Sequence, residues 1–162
     1  MDQNTEIENR IRAFASGDTS KYDSKKAPST KRILILEDDL LTLSTLIKDL
    51  HDLEEEFYDQ KVGLDFAVTV LSEYTQVEEY VNKAKNIEFD IILLDRDCKA
   101  CGSFHCLDIE SIGADKIISI SAIPQWNKEA VGRGVRKVVL KTHENIEKFS
   151  GRVMSEVRRM IL

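Results

Sequence analysis

No apolar run in this 162-residue chain approaches the roughly 20 residues needed to cross a bilayer, so no membrane span is expected. The N-terminus, MDQNTEIENR, lacks the basic start and the apolar stretch of a signal peptide. There is no basic surplus either. The formal net charge is −6 with 32% charged residues, which argues against a nucleic-acid partner. Cysteine is scarce: Cys98, Cys101 and Cys106 are the three, all within nine positions. An odd count without a leader points to a reducing compartment, and the expected location is the cytoplasm. What is present is a 42% apolar content, enough to build the core of one domain of ordinary size.

Residues 1–30 are polar, contain SGDTSKYDSKKAPSTK, and read as a flexible N-terminal segment. Within them Ile7, Ile11 and Phe14 have the spacing of a short amphipathic helix. From residue 31 to 162 the pattern is that of a folded domain. ILIL (33–36) is a buried strand ending in acids, and Leu43, Leu46, Ile47, Leu50 and Leu53 then recur at helical spacing. Leu64, Phe66, Val68 and Val70 alternate as a strand does. Thr75 and Glu78 have capping-box spacing ahead of a stripe of Val77, Tyr80, Val81 and Ala84. IILL (91–94) is a second buried strand, followed by a Cys/Gly-rich loop and a helical stretch over 104–112 that Gly113 stops. KIISIS (116–121) is a strand, Pro124 opens a helix, VRKVVL (135–140) is a strand, and Ile146, Phe149, Val153, Val157 and Met160 mark the last helix. Strand and helix alternate five times. Solidly apolar strands are expected where helices cover both faces of a parallel sheet. The run Glu54-Glu55-Glu56 reads as a solvated helix face.

In an open parallel sheet, ligands bind at the carboxyl ends of the strands. Those ends carry Glu37-Asp38-Asp39, Asp95, Ser121-Ala122 and Lys141. Carboxylates gathered on one edge call for a cation, and oxygen ligands with room for water suit Mg²⁺. A carboxylate beside such an ion can attack phosphorus. An ammonium and a hydroxyl can then stabilise the charge on the transferred oxygens.

The segments RILILEDD, FDIILLDRD, IISISA and VVLK resemble, in that order, the receiver domain of two-component response regulators (CheY-like) over about residues 32–162. The resemblance implies a doubly wound α/β fold, a five-stranded parallel sheet of order 2-1-3-4-5 in a flavodoxin-like three-layer sandwich. It implies Asp95 as the phosphoacceptor, with Ser121 as switch hydroxyl, Ala122 as its small neighbour and Lys141 as the phosphate-binding cation. Glu37, Asp38, Asp95 and the backbone carbonyl of Asp97 would hold Mg²⁺. The implied partners are a histidine kinase or phosphotransfer protein and an output protein. Neither nucleic acid nor membrane is expected, and the resemblance allows a homodimer through helix 4, strand 5 and helix 5. The chain would be a stand-alone phosphoryl acceptor, not an enzyme. The stretch HDLEEEFYDQKVG lengthens the first helix and loop.

Three positions depart from that pattern. Val138 stands where the family has an aromatic, Thr142 stands where it has a proline, and RDCKACGSFHC follows the phosphoacceptor. These departures keep a second function open, a receiver-like interaction module that is not phosphorylated. A third rests on Cys98, Cys101, His105 and Cys106, whose C-x₂-C-x₃-H-C spacing could serve zinc binding or redox sensing. The plain alternative is packing within the loop. Trp126 would pack on helix 4 or face a partner.

Overall fold

A computed structural model describes residues 29–84, 88–99 and 102–162. The sequence expectations for residues 1–28, and that for Cys101, lie outside these residues. The main sheet is formed by β1 (Ser29–Leu36), β2 (Leu64–Leu71), β3 (Ile91–Leu94), β6 (Ile117–Ser119) and β7 (Lys137–Val138). All four pairings are parallel and the order is β2-β1-β3-β6-β7, the expected 2-1-3-4-5 in the order these strands are met. The two remaining strands, β4 (Asp97–Cys98) and β5 (Gly102–Ser103), form an antiparallel ribbon after Asp95.

Ile33 to Leu36 and Ile91 to Leu94 are almost wholly buried, as strands with helices on both faces must be. Odd and even residues part to opposite faces. Ile33, Ile35, Ile91 and Leu93 pack under α1 (Leu40–Asp59) and α5 (Ile146–Ile161), through Leu46, Leu50, Phe57, Phe149, Val153 and Val157. Leu34, Leu36, Ile92 and Leu94 pack under shorter pieces. These are α2 (Tyr74–Val77, continued as a π-turn over Glu78–Asn82), α3 (Ile109–Ile112) and α4 (Pro124–Gly132).

The long helix α1 starts where Asp39 caps it. The Asp39 carboxylate accepts from the Thr42 backbone N–H at 2.8 Å and from the Thr42 hydroxyl at 2.7 Å, bonds that hold its pKa below the usual aspartate value. The helix runs through the expected extra residues and ends in a turn with Lys61 and Gly63 at φ of 55° and 68°. Of the acidic run, Glu55 is exposed and without a bonded partner among the described residues. Glu54 Oε1 accepts from the Phe66 N–H at 2.5 Å, and Glu56 forms a two-bonded pair with Arg158 of α5, one arm at 2.9 Å. Burial also corrects the helical stripe. Ile47 is exposed, and so are Val68 and Val70 of edge strand β2, whose Leu64–Phe66 end is the part that packs with α1.

On the other face, α2 begins at Tyr74 after Glu73, whose N–H donates to Gln76 Oε1, and not at the Thr75–Glu78 box. Val77 and Val81 are its buried residues, and Tyr80 is exposed. The stretch over 104–112 divides into a 3₁₀ turn, Phe104–Cys106, and α3. Asn82 forces the break by holding the Cys106 carbonyl and the Asp108 N–H with its side-chain amide, at 2.8 and 2.9 Å. Gly102 lies flat on the Tyr74 ring, where a Cβ would stand 1.9 Å from a ring carbon.

Phe57 is fully buried between α1 and the sheet, edge-on to Phe66 with centroids 6.2 Å apart. Phe57→Ala is expected to cost about 3–5 kcal/mol, as large-to-small core changes do. A shift of the urea midpoint at unchanged m-value checks this.

Candidate functional site at the carboxyl edge of the sheet

Glu37 follows β1, Asp95 follows β3 and Lys141 follows β7, so the sheet order brings them to one edge. The Lys141 ammonium lies between the two acids, 2.8 Å from Glu37 Oε2 and 2.6 Å from Asp95 Oδ2. All three are buried, with Glu37 at 0%, Asp95 at 4% and Lys141 at 6% exposure. The remaining oxygens are also bonded. Glu37 Oε1 accepts from the N–H groups of Asp38 and Asp39 at 3.1 and 3.0 Å, and Asp95 Oδ1 accepts from the Arg96 N–H at 2.7 Å.

Burial, and then the Asp95 charge, push Glu37 above the usual carboxylate range despite the pull of Lys141. Burial also works against the charge on Lys141. The two carboxylates outweigh it, and the lysine pKa is raised. At neutral pH the centre is therefore held by an ammonium that both acids need.

Asp38 is half-buried and turned towards the loop after Asp95. Its carboxylate accepts from the Lys99 N–H, and Lys99 Nζ donates to its carbonyl at 2.8 Å. Asp97 is exposed in β4, its carboxylate 3.0 Å from Arg96 Nη1. Glu37 and Asp95 share Lys141, while Asp38 on the same edge is taken by Lys99. Among the described residues no three His, Cys, Asp or Glu side chains are gathered as a metal site, so the expectation of Mg²⁺ rests on the oxygen chemistry of Glu37, Asp38 and Asp95 alone.

Ser121 is buried and lies one residue beyond Ile120, whose N–H donates to the Leu94 carbonyl at 2.9 Å. Its hydroxyl accepts from the Ile123 N–H at 3.2 Å, and its carbonyl accepts from the Lys141 N–H at 3.2 Å. No hydrogen bond joins the Ser121 hydroxyl to Asp95 or Lys141 among the described residues. Ala122 follows it half-buried.

Three neighbours of this edge were not read from the sequence. Asn127 of α4 accepts from the Ser119 hydroxyl at 2.6 Å and from the Ser121 N–H at 3.2 Å, and donates to the Ser121 carbonyl at 3.0 Å. The available signal was its position three residues before Ala130 on the buried side of α4. Lys99 and Arg96 sit in a loop whose fold no periodicity announces.

The described members of the Cys/His set do not converge. Cys98 donates to the Ser72 carbonyl at 3.4 Å, Cys106 to the Tyr74 carbonyl at 3.5 Å, and His105 Nδ1 stands 3.2 Å from Glu129 Oε1. Among the described residues there is no metal-binding cluster of His, Cys and acids. Burial raises the Cys106 pKa, which disfavours the reactive thiolate. Packing is the role these geometries support.

Comparison with protein-family models gives no match, and neither does comparison with curated proteins. Solved structures do match in fold. The bacteriophytochrome response regulator AtBRR superposes with a TM-score of 0.52 at 18% identity, over 78% of this chain and 92% of that one. A fusion carrying a yeast Spc42 trimeric coiled-coil segment gives 0.53 at 19% identity, over 80% of each chain. The response regulator TrrA from Thermotoga maritima, in complex with Mg²⁺ and BeF, gives 0.47 at 19% identity, over 80% and 98%. The chain has the fold of a response regulator receiver domain. No described helix is long and apolar enough to cross a membrane.

Two outcomes follow from the electrostatics. Lys141→Ala leaves two buried acids facing each other and is expected to cost about 3–5 kcal/mol at neutral pH. Adding Glu37→Gln should recover part of that loss in urea unfolding. Burial, the leading cause, lowers the His105 pKa below 6.5, with Glu129 pulling the other way. The neutral ring is thus the one the fold favours. Its contribution is complete above pH 6.5 and is lost as pH falls from there towards the folded value. His105→Asn should flatten that part of the stability profile between pH 7.5 and 5.5.

Proposed function

We propose that the chain is a phosphorylatable receiver, with Asp95 as acceptor and a phosphohistidine of a histidine kinase or phosphotransfer protein as donor. The observation that carries this reading is the buried Glu37–Lys141–Asp95 centre at the carboxyl edge of the sheet. A structural ion pair would need one acid. Here two are kept beside one lysine, with Asp38 a third on the same edge.

In the proposed step an Asp95 carboxylate oxygen bonds to phosphorus and the phosphorus–nitrogen bond of the donor breaks. The electron pair leaves with the histidine ring nitrogen. The product is a mixed anhydride on Asp95, and no oxidant or reductant is needed. Lys141, already on Oδ2, stands where it can meet the transferred charge. Ser121 would supply a hydroxyl once its bond to the Ile123 N–H is exchanged. Glu37, Asp38, Asp95 and the Asp97 carbonyl would hold Mg²⁺, which when bound offsets the negative charge of the acids and the phosphoryl oxygens. The chain acts as acceptor rather than as an enzyme on other molecules, and a cytoplasmic setting with an output protein as partner fits that role. A homodimer through α4, β7 and α5 is a further part of this reading. Ile123, Val131, Val138 and Leu140 are exposed there.

One observation favours the second reading, an interaction module that is never phosphorylated. Lys99 already engages Asp38 through both its N–H and its ammonium group. Incubation with a small phosphodonor and Mg²⁺, followed by mass spectrometry, separates the two. One phosphoryl group on the wild type and none on Asp95→Asn is expected. No addition, or equal addition to the variant, removes the receiver reading and leaves the module.

A further inference from the structure

Arg96 follows the acceptor directly and ties it to α4. Its backbone N–H donates to Asp95 Oδ1 at 2.7 Å, and its guanidinium carbon lies 3.8 Å above the centre of the Trp126 ring. Its Nη1 is 3.0 Å from Asp97 Oδ1, and its Nε stands 4.0 Å from Glu129 Oε2. Two buried donors in this stack, Arg96 Nε and Trp126 Nε1, have no hydrogen-bond partner among the described residues. Trp126 and Glu129 are one turn apart on α4. Glu129 also reaches back to the loop through the 3.2 Å approach to His105 Nδ1.

We propose that Arg96 transmits the state of Asp95 to α4 through its stack on Trp126. The inference rests on Asp95 being a phosphoryl acceptor. A phosphoryl group adds negative charge with strong acceptor oxygens, and acceptors of that kind recruit guanidinium groups. Arg96 is held by the exposed Asp97 carboxylate at 3.0 Å, the Trp126 ring face and the Glu129 carboxylate at 4.0 Å, and its buried Nε has no hydrogen-bond partner among the described residues. Charge gained at Asp95 draws the guanidinium from the ring. Trp126 loses its cation, Glu129 loses its neighbour, and α4 loses one of its ties to the acceptor loop. Arg96 touches no transferred atom in the unmodified site and is a positioning residue.

Trp126 is the only tryptophan, so its fluorescence reads the stack without ambiguity. The full chain is titrated with Mg²⁺ and beryllofluoride, while ¹⁹F NMR follows bound fluoride separately. The expected result is a change in Trp126 emission that tracks the bound ¹⁹F signal. Arg96→Met should bind fluoride as the wild type does, start from a shifted emission, and lose the response. Arg96→Lys keeps the charge without the flat guanidinium, serves if the Met variant does not fold, and should also lose most of the response. Bound fluoride with unchanged emission in the wild type overturns the relay alone, as does an undiminished response in both variants. Absence of bound fluoride in the wild type overturns the receiver reading and the relay with it.

Discussion

The structure depends on one ammonium group. Lys141 holds together the ends of two strands, through Glu37 and Asp95, and it is itself placed by the end of a third. Without it the two acids would repel across a buried gap at the centre of the sheet. Such a contact costs desolvation on all three groups, so stability alone does not explain its presence. It places the acids side by side, on the edge where parallel sheets bind ligands. Each acid's second oxygen is fixed by backbone N–H groups from its own loop. The strand order, the loop conformations and the lysine therefore agree on one geometry.

Much of this frame was legible in the sequence. ILIL and IILL could only be strands covered on both faces, and the acids after them had to emerge on one edge. The alternation of strand and helix gave the sheet order once the resemblance to receivers was drawn. The failures came where tertiary contacts outrank local pattern. Ile47 and Tyr80 fit a helical stripe, but no neighbour covers them. The stretch over 104–112 has the periodicity of one helix, and Asn82, more than twenty residues away, breaks it by claiming two backbone groups. Glu54 and Glu56 read as solvated charges because their partners, the Phe66 N–H and Arg158, are set by the packing of other elements. Lys99 and Arg96 lie in a loop with no period to read, and only folding puts one on Asp38 and the other over Trp126.

The loop after Asp95 gives this molecule its individual character. Its two short strands and 3₁₀ turn direct Cys98 and Cys106 to the Ser72 and Tyr74 carbonyls at the start of α2, and turn His105 towards α4. Gly102 is fixed by the Tyr74 ring, so the loop is seated from below by packing and from above by charge. The strand position Val138 offers no ring that could move with the site. An aromatic group of α4, Trp126, borders the acceptor loop through Arg96. The site thus meets α4 in two places, at Arg96 on Trp126 and at Ser121 on Asn127.

The two covers of the sheet differ in kind. One is made of α1 and α5, twenty and sixteen residues long and clamped to each other by Glu56 and Arg158. The other is a succession of short segments, a π-turned helix, a four-residue helix and the nine-residue α4, joined by side-chain bonds. Short segments open with smaller free energies than long packed ones. The chain is thus divided into a slow half and a fast half. Backbone amides of α1 and α5 are expected to be the slowest to exchange with solvent, and those of α2 to α4 to exchange through partial openings that leave the sheet intact.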